Sequence, residues 1–218
     1  MTLAIFDLDN TLLAGDSDHA WGQFLIDQGL VDATVVKAAN EAFYQQYQAG
    51  ELDIDRYLRF SLSFLANKPL DELASLHRLF MELVIEPMIA PGTQALLQHH
   101  RDRGDTLMII TATNRFVTGP IAEHLGIPNL IACEAEQQNG AYTGLPTGIP
   151  SYQEGKVVRL QTWLDEHGES LDGAWFYSDS LNDLPLLRLV DNPVAVDPDA
   201  TLAAEAQRQN WPIISLRD

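Results

Sequence analysis

The chain has 218 residues, 46% hydrophobic and 20% charged, which is enough apolar material to bury a core and argues against disorder. The balance of 13 Lys and Arg against 31 Asp and Glu leaves a formal net charge of -18, so a phosphate backbone or an anionic membrane would be repelled, and neither nucleic acid nor a membrane is expected as a partner. A single cysteine, Cys133, excludes an internal disulfide and a cysteine-rich metal site; with no basic segment before Asp7 and no apolar stretch near the ~20 residues of a membrane span, a cytoplasmic location is expected.

The apolar run Leu3 to Leu8 predicts a first buried strand that runs out into Asp7-Leu8-Asp9-Asn10-Thr11-Leu12. From about Ala14 to Ala90 there is helix after helix and no convincing strand. Leu58, Leu62 and Leu65 form one apolar stripe there, and Gly29, Gly50 and Lys68-Pro69 punctuate the helices. Pro87 and Ala90-Pro91-Gly92 mark the return, and a helix with Leu96 and Leu97 leads to a second strand over Thr106 to Ile110. A helix over Phe116 to Leu125, a strand over Leu130 to Cys133, and a hairpin over Glu134 to Leu145 turning at Asn139-Gly140 follow. The spacing of Val157, Leu160 and Leu164 predicts a helix over Gly155 to His167, and the strands Ala174 to Tyr177, Val194 to Val196 and Ile213 to Leu216 complete the pattern. Alternating strand and helix imply an α/β fold with a doubly wound parallel sheet, divided into a core of residues 1-13 and 91-218 and an inserted helical domain of residues 14-90.

Chemistry gathers where strands end, since open parallel sheets bind ligands at the carboxyl ends of their strands. Asp7 and Asp9, at i and i+2 on such an edge, repel each other and call for a hard cation or a shared proton. Thr111 closes the second strand with a hydroxyl. Lys156 sits at the start of a helix, where the dipole disfavours a cation. Asp179 and Asp183, in Tyr177-Ser178-Asp179-Ser180-Leu181-Asn182-Asp183, form a second acidic pair after a later strand. Taken singly, each has a plain structural reading: an acidic loop or helix cap, a strand-terminal threonine, a solvated lysine, a first-turn aspartate.

Taken together, the order Asp7 and Asp9, Thr111, Lys156, then Asp179 and Asp183 resembles the haloacid dehalogenase-like superfamily over nearly the whole chain. The helices inserted after the first motif resemble the cap of the subfamily that holds phosphoserine phosphatases and bacterial histidinol-phosphatases. Thr111-Ala112-Thr113-Asn114-Arg115-Phe116 and Tyr142-Thr143-Gly144 resemble the latter branch. The resemblance implies a Rossmann-like core and hydrolysis of a small phosphorylated metabolite. Asp7 would be the nucleophile that forms an aspartyl-phosphate, and Asp9 the general acid and base. Thr111 would bind the phosphoryl oxygens and Lys156 would balance their charge, with Ala112 and Asn182 as further substrate contacts. The ligands of a metal would be Asp7, Asp9 through its carbonyl, Asp179, and Asp183 directly or through water. Four carboxylates and a phosphate outweigh one lysine, and an all-oxygen set favours Mg²⁺.

Two non-enzymatic alternatives are a phospho-aspartate receiver, for which the chain is too long, and a phosphate-binding scaffold, against which Asp7 and Asp9 argue. Among amino-acid phosphates, histidinol phosphate is expected ahead of phosphoserine. The cap arginine of phosphoserine phosphatases falls at Ser61, with Arg56 or Arg59 as replacements, whereas Asp16 and Asp18 at the cap entrance suit an ammonium. Phe43, Tyr44 and Tyr47 read as cap core, and of the six histidines only His19 is expected to face the substrate. The sequence carries no signal for an oligomeric state.

Overall fold

The computed structural model describes residues 2–218. Seven strands, β1 (Leu3–Phe6), β2 (Thr106–Asn114), β3 (Asn129–Gln138), β4 (Ala141–Thr147), β5 (Trp175–Ser178), β6 (Asn192–Val196) and β7 (Ile213–Ile214), form one sheet in the order β4-β3-β2-β1-β5-β6-β7. All neighbours are parallel except β3 and β4. Asn139 and Gly140 make the predicted hairpin turn between that pair, with φ of 51° and 79°.

Period-two alternation explains why β1 is apolar throughout. Ala4 and Phe6 enter one core cluster while Leu3 and Ile5 enter another on the opposite face. The first face is covered by α6 (Thr93–Asp102) and α7 (Arg115–His124), and the second by α8 (Glu154–His167), α9 (Leu184–Leu187) and α10 (Ala200–Gln209). The doubly wound α/β sheet read from the sequence is therefore present.

The strand boundaries differ from the expected ones in ways that matter. β1 stops at Phe6 because the chain turns widely over Leu8–Leu12, with Asn10 at φ 57°. β2 runs four residues past Ile110, so that its polar end overhangs the site, and β7 stops at Ile214.

Between Leu13 and Ile89, which bridge each other, lie α1 (Ser17–Asp27), α2 (Ala33–Ala49), α3 (Ile54–Leu62), α4 (Leu70–Phe80) and α5 (Glu86–Met88). α1 and α4 share the sheet's own core: Trp21 meets Phe80 at 5.1 Å and Phe116 at 5.4 Å between ring centroids. α3 buries the Leu58 and Leu62 stripe with Leu65 and Cys133 against the hairpin. α2 leans over the carboxyl ends of β1 and β2. Among the described residues no helix is long and apolar enough to cross a membrane. Cys133 is buried, and burial pushes its thiol up to about 11.

Candidate active site

β1 lies between β2 and β5, where the winding of the sheet reverses, and Asp7 is the first residue beyond it. The Lys156 ammonium, in the first turn of α8 and 2% exposed, lies 2.7 Å from Oδ1 of Asp7 and 2.7 Å from Oδ1 of Asp183. Burial alone would lower the Lys156 pKa, but Asp183 and Asp7 overcome it and hold it above its usual range. Those two carboxylates also offset the helix-terminus penalty that made this lysine conspicuous. Gly155 lets the Pro150 carbonyl pack against the start of α8, because a Cβ there would stand 2.1 Å from its oxygen. Burial, opposed by Lys156 and reinforced by Asp183, raises Asp7 to about 7.

Asp179 is fixed through Thr11, whose hydroxyl donates to Oδ1 of Asp179 and accepts from its backbone N–H, both at 3.1 Å. Burial, and then the charge of Asp7, pushes Asp179 well above the carboxylate range. Asp183 also accepts from the Ser178 hydroxyl at 2.7 Å.

Asp9 turns the other way. Its Oδ1 accepts the Ser17 N–H at 2.6 Å, so the carboxylate sits on the N-terminus of α1. Its Oδ2 accepts from Thr113 at 2.8 Å and from Thr111 at the limiting 3.5 Å. Thr113 was not among the expected site residues, although its place two residues beyond Thr111 on a strand aims both the same way.

Of these residues Asp7, Asp9, Thr111 and Thr113 line a cleft, with Ala112 from the sheet edge and Asp16, Asp18 and His19 from α1 and its cap, whereas Lys156, Asp179 and Asp183 are not among its lining residues. Phe43, Tyr44 and Tyr47 of α2 and Tyr57 of α3 complete the wall. The α2 aromatics are thus cleft lining rather than helix core alone, because Asn40, Phe43, Tyr44 and Tyr47 recur at helical spacing toward the cleft. Asp18 accepts from the Asn114 amide at 3.1 Å. Burial raises it to about 6 against the hydrogen bond from Tyr57. Burial and the charge of Asp9 raise Asp16 to about 8.

Asn182 does not line the cleft: its amide is taken up by Tyr152, Gln153 and the carbonyl of Tyr47. Among the described residues no three His, Cys, Asp or Glu side chains converge to hold a metal; the expected ligand set needs only Asp7 and Asp179 as direct side-chain ligands, with Asp9 acting through its carbonyl and Asp183 directly or through water. Asp183 is occupied by Lys156 and Ser178, and the Asp9 side chain by Ser17 and Thr113. One oxygen of Asp7 and one of Asp179 are left for a further partner. That pair fits Mg²⁺, which is commonly held by one or two carboxylates with substrate phosphate and waters completing its shell.

The family model for haloacid dehalogenase-like hydrolase matches residues 4–188. The chain is 51% identical to a histidinol-phosphatase of Neisseria meningitidis serogroup C (strain 8013), over 99% of each chain. It is 31% identical to a phosphoserine phosphatase of Mycobacterium tuberculosis (strain ATCC 25618 / H37Rv), over 98% of this chain and 70% of that one. A crystal structure of a protein of unknown function from Bordetella pertussis Tohama I superposes with a TM-score of 0.92 at 41% identity, covering 99% of this chain and 100% of that chain. The receiver reading is set aside, and the chain belongs to the haloacid dehalogenase-like hydrolases, among their phosphatases.

Proposed function

We propose that the protein is a Mg²⁺-dependent phosphomonoester hydrolase that works through an aspartyl-phosphate on Asp7 and acts on a small amino-alcohol phosphate, with histidinol phosphate favoured over phosphoserine. The carrying observation is the cleft lining: four aspartates and no lysine or arginine among the described residues. Such a wall attracts an ammonium and repels a second carboxylate. Arg56 stacks over the outer side of Phe43 at 6.0 Å and lines a separate depression, which leaves a substrate carboxylate without a partner. The identity to a histidinol-phosphatase supports the same substrate.

In this reading the free oxygen of Asp7 attacks phosphorus and the phosphorus-to-alkoxide bond breaks. Asp9, aimed by Ser17 and Thr113, gives its proton to the departing alkoxide and later takes one from the water that cleaves the aspartyl-phosphate. Lys156 favours the ionised form of Asp7 against burial and offsets charge on the phosphoryl oxygens, while Thr111 and the backbone at Ala112 orient them. Asp7, Asp179 and the carbonyl of Asp9 would hold Mg²⁺, which supplies charge neutralisation for the phosphoryl group when bound. Asp16 and Asp18 take the substrate ammonium, and Phe43, Tyr44 and Tyr57 its ring.

Phosphate release from a panel of small phosphomonoesters, with the wild type and a folded Asp7→Asn variant, tests this function. Turnover of amino-alcohol phosphates by the wild type and none by the variant is expected. Equal turnover by both would overturn it.

A further inference from the structure

We propose that Gln153 is a positioning residue that clasps the end of α2 to the core and couples the seating of that helix to the placement of Lys156. Gln153 immediately precedes α8 with φ 47° and ψ -122°, a backbone conformation that is costly for a residue with a side chain. Such a conformation persists where its surroundings over-determine it.

The side chain supplies that constraint. Its Nε2 shares its two hydrogens among three acceptors within reach, Oδ1 of Asn182 at 2.9 Å, the Tyr152 hydroxyl at 3.1 Å and the carbonyl of Gly50 at 3.2 Å. The Tyr152 hydroxyl donates to the same Asn182 oxygen at 2.9 Å, and Nδ2 of Asn182 donates to the carbonyl of Tyr47 at 3.0 Å. The amides of Gln153 and Asn182 thus hold two carbonyls at the C-terminal end of α2, those of Gly50 and Tyr47, and the Tyr152 hydroxyl braces Asn182. That end of α2 carries Tyr44 and Tyr47, part of the cleft wall.

On its other side the clasp meets the Lys156 pair. The Gln153 carbonyl accepts the Lys156 N–H at 3.0 Å, and Asn182 is followed by Asp183, which holds the Lys156 ammonium. Gln153 itself does not line the cleft. Releasing α2 would therefore free the groups that hold the Gln153 backbone, and with it the first turn of α8.

Two variants separate the clasp from the backbone strain. Gln153→Ala loses the clasp and keeps the strain, whereas Gln153→Gly loses both. In the ligand-free protein both should exchange amide hydrogens over Tyr44 to Glu51 roughly tenfold faster than wild type, a measurement that assumes nothing about the substrate. With one phosphomonoester turned over by the wild type, both should show a raised KM from the loosened wall and a lowered kcat from the displaced lysine. The glycine variant should melt above the alanine variant. Unchanged exchange over Tyr44 to Glu51, a change in KM with kcat untouched, or wild-type kinetics in Gln153→Gly would each overturn the proposal.

Discussion

Thr113 donates to Oδ2 of Asp9 at 2.8 Å, whereas Thr111 approaches the same oxygen only at 3.5 Å. The orientation of the second carboxylate is therefore set by Thr113 together with the Ser17 N–H. Thr113→Val, which keeps the shape and removes the hydroxyl, should lower kcat about tenfold or more on an alkyl phosphate, a part of the ~10²–10⁴-fold that a positioned acid supplies. An aryl phosphate, whose leaving group needs less protonation, should lose less. Equal losses on the two substrates would show that Thr113 does not act through Asp9.

Lys156 is the one cation between two buried aspartates, so Lys156→Met leaves Asp7 and Asp183 facing each other. Breaking a buried pair in this way costs ~3–5 kcal/mol. The loss should be greater at pH 8 than at pH 5, because Asp7, raised to about 7 chiefly by burial, is neutral at the lower pH. Urea unfolding at the two pH values checks this, and an equal loss at both would contradict it.

The strand ends were legible because each chemical residue follows a buried apolar run: Ile5-Phe6 before Asp7, Ile109-Ile110 before Thr111 and Phe176-Tyr177 ahead of Asp179. Lys156 stood out for its unfavourable place on a helix. The polar end of β2 was hidden because Thr111 to Asn114 offers no apolar run, and Thr113 was lost with it. The place of Asn182 was hidden for a different reason. Its motif neighbours carry the chemistry, but its own amide is used to hold α2, a contact 135 residues away in sequence. The side-chain division among the four carboxylates was equally beyond reach, since it depends on Ser17, Thr113 and Ser178 as hydrogen-bond donors.

Asp7 and Asp179 both have pKa values raised by burial, so folding binds extra protons at these positions. Stability therefore falls as these carboxyls ionise with rising pH, for Asp7 through about 7, and a bound cation reverses that loss. Mg²⁺ should raise Tm more at pH 8 than at pH 5, and exhaustive chelation should abolish turnover. A larger Tm gain at pH 5, or activity that survives chelation, would count against the two-carboxylate site.

Asp16, raised to about 8 by burial and the neighbouring Asp9, gains charge between pH 6 and pH 8. An ammonium in the cleft should therefore bind better across that window. The KM of an amino-alcohol phosphate, divided by that of the same ester without its amine, should fall as pH rises from 6 to 8, and Asp16→Asn should flatten the ratio. The division removes the titration of the phosphate itself. A ratio independent of pH in the wild type would mean that Asp16 does not meet the ammonium.

In the proposed function a cleft walled by Asp16 and Asp18, with no lysine or arginine among its described lining residues, selects a cationic leaving group. The most direct test is kcat/KM for histidinol phosphate and for phosphoserine at one pH and one Mg²⁺ concentration. An unpaired buried carboxylate costs several kcal/mol, and each 1.36 kcal/mol is a factor of ten, so histidinol phosphate should be preferred by about a hundredfold or more. A preference for phosphoserine would mean that Arg56 or Arg59 turns inward to hold its carboxylate, and would contradict the account.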